Sequence, residues 1–130
     1  MSRVRMSAPV RAAVALSLVL AVAGCANTIR VGGGRTLRIA LTEYRLTPDT
    51  VRAYAGRLTI MARNLGTRTH DLVVSLGNFN EAAPLYLAPG ATGTVTLDLE
   101  PGQYMLRSTL LDDQALGMWG TLDVVALRRH

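Results

Sequence analysis

The stretch from Thr94 to Thr109, TVTLDLEPGQYMLRST, indicates the fold class of this chain. Before the Pro-Gly pair, one valine and two leucines alternate with polar residues. After the pair, the same period of two continues at Tyr104, Leu106 and Ser108. A period of two is typical of strands that are buried on one side. The stretch therefore predicts two strands separated by a turn.

The same alternation extends over most of the chain. It appears in TLRIALTEY, in RLTIMAR, in the segment that starts at His70 and in the segment around Leu122 and Val124. Turn residues separate these segments about every ten residues, a spacing typical of an all-β sandwich or barrel rather than of βαβ units. The one long irregular piece, Gly77 to Ala88, predicts a short helical turn around Glu81 to Ala83.

The N-terminal 24 residues have the features of an export signal. Arg3, Arg5 and Arg11 form a positive segment, and Ala12 to Ala23 is apolar with one serine. This apolar stretch is too short for a membrane span, which needs about 20 residues. A signal peptide over residues 1–24 is therefore predicted, and the protein is expected to be exported.

The signal ends in VAGC, Val22 to Cys25, which resembles the lipobox of bacterial lipoproteins. That resemblance implies cleavage before Cys25, lipidation of its thiol and anchoring at the extracytoplasmic face of the membrane. Cys25 is the one cysteine of the chain, and lipidation would account for a lone thiol in an exported protein. The alternative is ordinary cleavage after Ala21-Val22-Ala23, an A-x-A site.

The predicted domain limits follow from this N-terminus. Residues 25–35 contain three consecutive glycines and are predicted to be a flexible tether. Residues 36–127 form the predicted domain, and residues 128–130 a basic tail.

Most of the positive charge lies toward the two ends of the chain. Eight arginines lie in the signal, in or near the tether, and in the tail: Arg3, Arg5, Arg11, Arg30, Arg35, Arg38, Arg128 and Arg129. Without them the charge is near −3, so a nucleic-acid partner, which needs a basic patch on the folded domain, is not expected.

Four segments together resemble the cupredoxins, Greek-key β-sandwiches that carry blue copper. Asn64 to Val74, NLGTRTHDLVV, is similar to the strand with the first histidine ligand. Leu87 to Leu97 is similar to the hairpin that follows, and Pro101 to Ser108 to the strand that leads to the cysteine ligand. Gly117 to Val124, GMWGTLDV, is similar to the methionine ligand and the last strand. The resemblance implies a cupredoxin-like Greek-key β-sandwich.

The resemblance also locates four ligand positions. His70 and Met118 match the family's first histidine and its methionine, whereas Ser108 stands at the cysteine position and Asp113 at the second histidine position. Blue copper requires two histidines and a thiolate with a weak axial ligand. No metal is therefore expected at these four positions, and no cofactor. The alternative is a weak, non-blue copper site, or copper handling through His70 and Met118.

If the fold is kept, the polar groups at these positions converge and need partners, because an unpaired buried polar group costs about 1–3 kcal/mol. We expect Asp113 to accept a hydrogen bond from His70, which would raise the pKa of the imidazole, and Ser108 to complete the network. Met118 is expected to fill an apolar gap, and Trp119 to seal the end of the sandwich. His70 is expected to be a hydrogen-bonded residue at the rim of the sandwich rather than a ligand.

Serine, histidine and aspartate together also suggest a hydrolase. The sequence has no nucleophile elbow and nothing that marks an oxyanion hole, so no enzyme activity and no catalytic residue are predicted. The expected function is that of a binding or accessory module, anchored to the membrane and contacting an extracytoplasmic protein or a small ligand whose identity the sequence does not give.

Overall fold

The computed structural model describes residues 28–127, which form eleven strands and one short helix. The predicted signal peptide, Cys25 and the basic tail lie outside the described residues. The elements are β1 (Ile29–Arg30), β2 (Thr36–Thr42), β3 (Arg45–Thr47), β4 (Thr50–Tyr54), β5 (Gly56–Asn64), β6 (His70–Leu76), β7 (Phe79–Asn80), β8 (Leu85–Leu87), β9 (Thr92–Leu99), β10 (Gly102–Arg107), α1 (Asp113–Leu116) and β11 (Trp119–Val125).

The strands form two mixed sheets. The larger sheet has the order β1-β4-β11-β10-β6-β7, with β8 also paired to β6, and the smaller sheet has the order β3-β2-β5-β9. Three pairs are parallel, namely β1 with β4, β4 with β11, and β2 with β5. The predicted all-β Greek-key sandwich is therefore confirmed.

The core lies between the two sheets and consists of the residues that alternate inward along each strand. The smaller sheet contributes Leu37, Ile39, Leu41, Leu58, Ile60 and Ala62, and the larger one Val51, Leu72, Val74, Tyr104, Leu106, Leu122 and Val124. Full burial of one large apolar side chain contributes roughly 1.5–3 kcal/mol to folding. Tyr104 is buried, and its hydroxyl donates a 2.8 Å hydrogen bond to the carbonyl of Glu100.

Two local predictions are wrong. The helical turn around Glu81 to Ala83 is not formed, because the Glu81 amide donates a 2.8 Å hydrogen bond to the Val74 carbonyl and holds this segment beside β6. Among residues 28–127 the one helix is α1. The hairpin expected in Leu87 to Leu97 is also absent, since β8 pairs with β6 and β9 with β5.

Part of the predicted tether lies on the domain. Ile29 and Arg30 pair in parallel with Val51 and Arg52 of β4. The Arg35 guanidinium then donates hydrogen bonds to two carbonyls near the start of β5.

Within residues 28–127, no helix is both long enough and apolar enough to span a bilayer.

Strand direction brings four loops to one end of the sandwich. They are residues 43–49, which include the short strand β3, residues 65–69, residues 88–91, and residues 108–118, which include α1. The strands beside them pair at this end through Leu41 with Asn64, Arg63 with Thr92, and Arg107 with Trp119. We call this the loop end. The turns at residues 32–35, 77–78 and 100–101 lie at the opposite end.

The close packing of Gly120 against the backbone of Asp49, at the loop end, can be tested by substitution. A Cβ at Gly120 would lie 2.5 Å from the Asp49 carbonyl oxygen and 2.9 Å from its Cα. Because backbone must move to make room, Gly120→Ala should destabilise the domain by about 1–3 kcal/mol in urea unfolding. Gly34→Ala is the matched control, since no atom lies within 4 Å of its Cβ position. Equal stability of the two variants would contradict the described packing.

Candidate functional site

The chain brings the four ligand-like positions together at the loop end. The Ser108 amide donates a 3.0 Å hydrogen bond to the Met118 carbonyl, and the Met118 amide donates one of 2.9 Å to the Asp113 carbonyl. These backbone bonds close the loop of residues 108–118. His70, the first residue of β6, lies beside this loop because β6 pairs with β10.

His70 is fully buried and makes a hydrogen bond at each ring nitrogen. Its Nδ1 lies 2.6 Å from Oδ2 of Asp113, and its Nε2 lies 3.0 Å from Oε2 of Glu43. The first contact was predicted from the sequence and is present, whereas Glu43 was not foreseen. A neutral imidazole has one N–H, so two carboxylate partners favour the doubly protonated ring.

Glu43 reaches His70 from the turn that follows β2. Its Oε1 accepts hydrogen bonds from the amide and the hydroxyl of Thr67, each at 2.7 Å. The hydrogen bond from His70, followed by those from Thr67, lowers the pKa of the Glu43 carboxyl to about 2. A side chain at Gly66 would not fit, because its Cβ would lie 1.7 Å from Oε2 of Glu43.

The pKa of His70 is set by two opposing effects. Burial lowers it, because it disfavours the charged ring, whereas the hydrogen bonds to Glu43 and Asp113 and the charges of these carboxylates raise it. The carboxylates outweigh burial, so the pKa of His70 is raised above its ordinary value of 6.5. The geometry therefore favours an imidazolium between the side chains of Glu43 and Asp113.

Ser108 extends this network to a third carboxyl group. Its hydroxyl donates to Oδ2 of Asp113 at 2.7 Å, and it accepts a 3.2 Å hydrogen bond from the amide of Asp71. The carboxylate of Asp71 is fully buried and accepts hydrogen bonds from the amide and hydroxyl of Thr109. Each polar group named here has a partner, so the network is closed within the protein.

Two residues in or beside the network, Trp119 and His70, take positions that differ from those expected. Met118 is fully buried in the core, as a gap-filling residue would be. Trp119 does not seal the sandwich, because it is 48% exposed and lines a surface groove with Leu111. His70 lies inside the protein rather than at the rim, while Asp112 is exposed.

The residues at the four positions do not fit the copper that cupredoxins carry. No thiolate is present among them, the one imidazole has both nitrogens in hydrogen bonds, and an imidazolium has no lone pair for a metal. In residues 28–127, no group of three or more histidine, cysteine, aspartate or glutamate side chains is arranged to hold a metal ion. Glu43 and Asp113 lie at opposite nitrogens of the ring and therefore do not converge on one point.

The arrangement also differs from a hydrolytic triad. A nucleophilic serine needs a hydrogen bond to its histidine base. Ser108 donates to Asp113 instead, and within the described part of the chain no hydrogen bond joins it to His70. Both ring nitrogens of His70 are held by carboxylates, so neither can accept a proton from Ser108.

The comparisons with known proteins agree with this fold. An auracyanin from the photosynthetic bacterium Roseiflexus castenholzii superposes with a TM-score of 0.64 at 21% identity, over 72% of this chain and 99% of that one. A multicopper oxidase superposes with a TM-score of 0.57 at 18% identity, over 69% of this chain and 41% of that one. No family model and no curated protein matches the sequence. The domain is thus cupredoxin-like in fold.

Sequence reasoning missed two parts of the network. Glu43 follows β2, and its approach to His70 depends on the parallel pairing of β2 with β5, which a period of two does not reveal. Asp71 was not assigned to the site, but Ser108 and Thr109 form hydrogen bonds with it. The glycine at position 66 was a signal, since it leaves room for Glu43.

Titration of His70 tests its two partners. Asp113→Asn and Glu43→Gln should each lower the pKa of His70, because each removes one of the two charges that outweigh burial. Asp112→Asn is the matched control, since this neighbouring carboxyl group is exposed. The pKa is measured by NMR. A pKa that is the same in wild type and in both network variants would contradict the geometry.

The same shifts predict how stability depends on pH. The folded pKa of Glu43, about 2, is below its ordinary 4.5, so its contribution is complete above about 4.5 and is lost as pH falls toward 2. The folded pKa of His70 is above 6.5, so its contribution is complete below 6.5 and is lost as pH rises through the folded value. Thermal unfolding should therefore give the highest Tm between about pH 4.5 and 6.5.

Glu43→Gln should make both the acidic and the basic decline of Tm shallower, whereas Asp112→Asn should follow the wild type. A wild-type Tm that increases steadily as the pH rises above 6.5 would show that His70 does not stabilise the fold in its charged form.

Proposed function

We propose that this chain is an exported lipoprotein, anchored through Cys25, whose cupredoxin-like domain is a non-catalytic binding or accessory module. Its partner is an extracytoplasmic protein or small ligand that contacts the domain surface. The observation that carries this proposal is the carboxylate at each ring nitrogen of His70, at 2.6 Å and 3.0 Å. These contacts use the same donor atoms that a metal would need.

The energetics of the network favour this proposal over copper handling. Copper binding at His70 would require loss of a proton whose pKa is raised, and it would break at least one of the two hydrogen bonds. Met118 offers a thioether, which binds weakly as an axial ligand and which here is packed in the core. The site is therefore better suited to hold the loops of residues 43–49, 65–69 and 108–118 in one arrangement.

The anchoring part of the proposal is supported by the N-terminal sequence. The apolar segment Ala12 to Ala23 precedes VAGC, and Cys25 is the one cysteine in the chain. In the exported protein, this thiol would have no second cysteine with which to form an intramolecular disulfide. Lipidation of Cys25 would account for both features.

A copper retention experiment distinguishes the module from a copper protein. Full-length processed protein is mixed with Cu(I) or with Cu(II), desalted and assayed for bound metal. Wild type, His70→Ala and Met118→Ala should all emerge with the same low copper content, because the ring nitrogens of His70 are already occupied. Stoichiometric copper that is retained by the wild type and lost in both variants would establish copper handling instead.

The double variant Ser108→Cys with Asp113→His is the positive control for that assay. It supplies a thiolate and a second imidazole at the two departing positions, and it removes one carboxylate from His70. Copper retention with intense visible absorption is expected for this variant alone. Circular dichroism establishes that each variant is folded before copper is added.

A further inference from the structure

The chain enters the sandwich at the loop end. Ile29 of β1 pairs with Val51 of β4, which in turn pairs with Leu122 of β11. All three strands are parallel and run away from the loop end, because β11 begins there at Trp119. Thr28, which precedes β1, therefore lies on the loop-end side of the sheet.

The distance from this entry point to the predicted anchor is short. Cys25 precedes Thr28 by three residues, and an extended chain spans at most about 3.3–3.6 Å per residue. The two Cα atoms are thus within roughly 11 Å of each other. A lipid on Cys25 would keep the loop end close to the membrane surface, with the opposite end directed away.

Four exposed apolar side chains lie in or directly beside the loops of residues 65–69 and 108–118, and we call them the apolar rim. They are Leu65 (55% exposed), Leu111 (89%), Leu116 (54%) and Trp119 (48%). Leu111 and Trp119 line one surface groove. Leu111 has a φ of +49°, a conformation that leucine rarely adopts. A glycine or an asparagine would adopt this conformation at lower cost.

We propose that the apolar rim contacts the lipid bilayer. The inference rests on the proposed lipidation of Cys25, and it adds which face of the domain meets the membrane. Tryptophan favours the interface between lipid and water. The transfer of leucine side chains from water into the acyl boundary of that interface is favourable. The bilayer would then cover the loops that surround the buried network of His70.

The charges at this end do not oppose such a contact. Arg45, Arg63 and Arg68 are exposed there, and Asp49 and Asp112 offset most of their charge. Apolar side chains rather than attraction to anionic lipid therefore carry the contact. Phosphatidylcholine vesicles should serve as well as vesicles that also contain phosphatidylglycerol.

Trp119 reports directly on this contact because the chain has one tryptophan. The lipidated full-length product is reconstituted into phosphatidylcholine vesicles, and its fluorescence is compared with that of the same protein in detergent-free buffer after removal of the anchor by proteolysis. On vesicles the emission should shift to shorter wavelength, acyl-brominated phosphatidylcholine should quench it, and aqueous acrylamide should quench it less. Leu111→Ser should reduce all three changes.

Phe79→Ser is the matched control, since Phe79 is 77% exposed but lies in β7, at the opposite end. This variant should behave as the wild type does. If Leu111→Ser leaves the three changes as large as in the wild type, or if Phe79→Ser reduces them as much as Leu111→Ser does, the apolar rim does not carry the contact and the proposal is overturned.

Mass spectrometry of the N-terminal peptide distinguishes a failure of the proposed anchor from a failure of the proposed membrane contact. An unlipidated Cys25 would overturn both the proposed anchor and this inference. A lipidated Cys25, together with a Trp119 that acrylamide quenches equally with and without vesicles, would overturn only the membrane contact. The apolar rim would then be free to bind a protein partner.

Discussion

His70 is held between two carboxylates inside the protein, and the loop end is arranged around that contact. Loss of the buried Asp113 carboxylate would leave the charged ring without one of its two counter-charges, which is unfavourable inside a protein. The ring links Glu43, in the turn after β2, to Asp113, in the loop between β10 and β11. It therefore connects the smaller sheet to the larger one at a point where no strand pairing does.

The loop of residues 108–118 is held by its backbone and does not depend on metal-ligand side chains. Its backbone hydrogen bonds between Ser108 and Met118, and between Met118 and Asp113, need no side-chain ligand. The spacing of a ligand loop is thus maintained by main-chain contacts. The side chains of this loop can therefore form a charged hydrogen-bond network. In such a network, loss of one partner leaves another buried polar group unsatisfied.

The sequence predicted the inward-facing residues of β2, β5, β9, β10 and β11, because alternation is a direct consequence of the pleat. It also predicted the contact of His70 with Asp113, since both were assigned to ligand positions. It did not predict β4, which has only Val51 and Ala53 as inward apolar residues. Nor did it predict Glu43, because a contact between distant turns depends on strand order, which local periodicity does not contain.

A neutron crystal structure of the domain at neutral pH tests the central claim most directly, because it locates hydrogen atoms on the imidazole of His70. The account predicts a hydrogen on both ring nitrogens, one directed at Asp113 and one at Glu43. A ring nitrogen without hydrogen, or one that coordinates a metal ion, would contradict it.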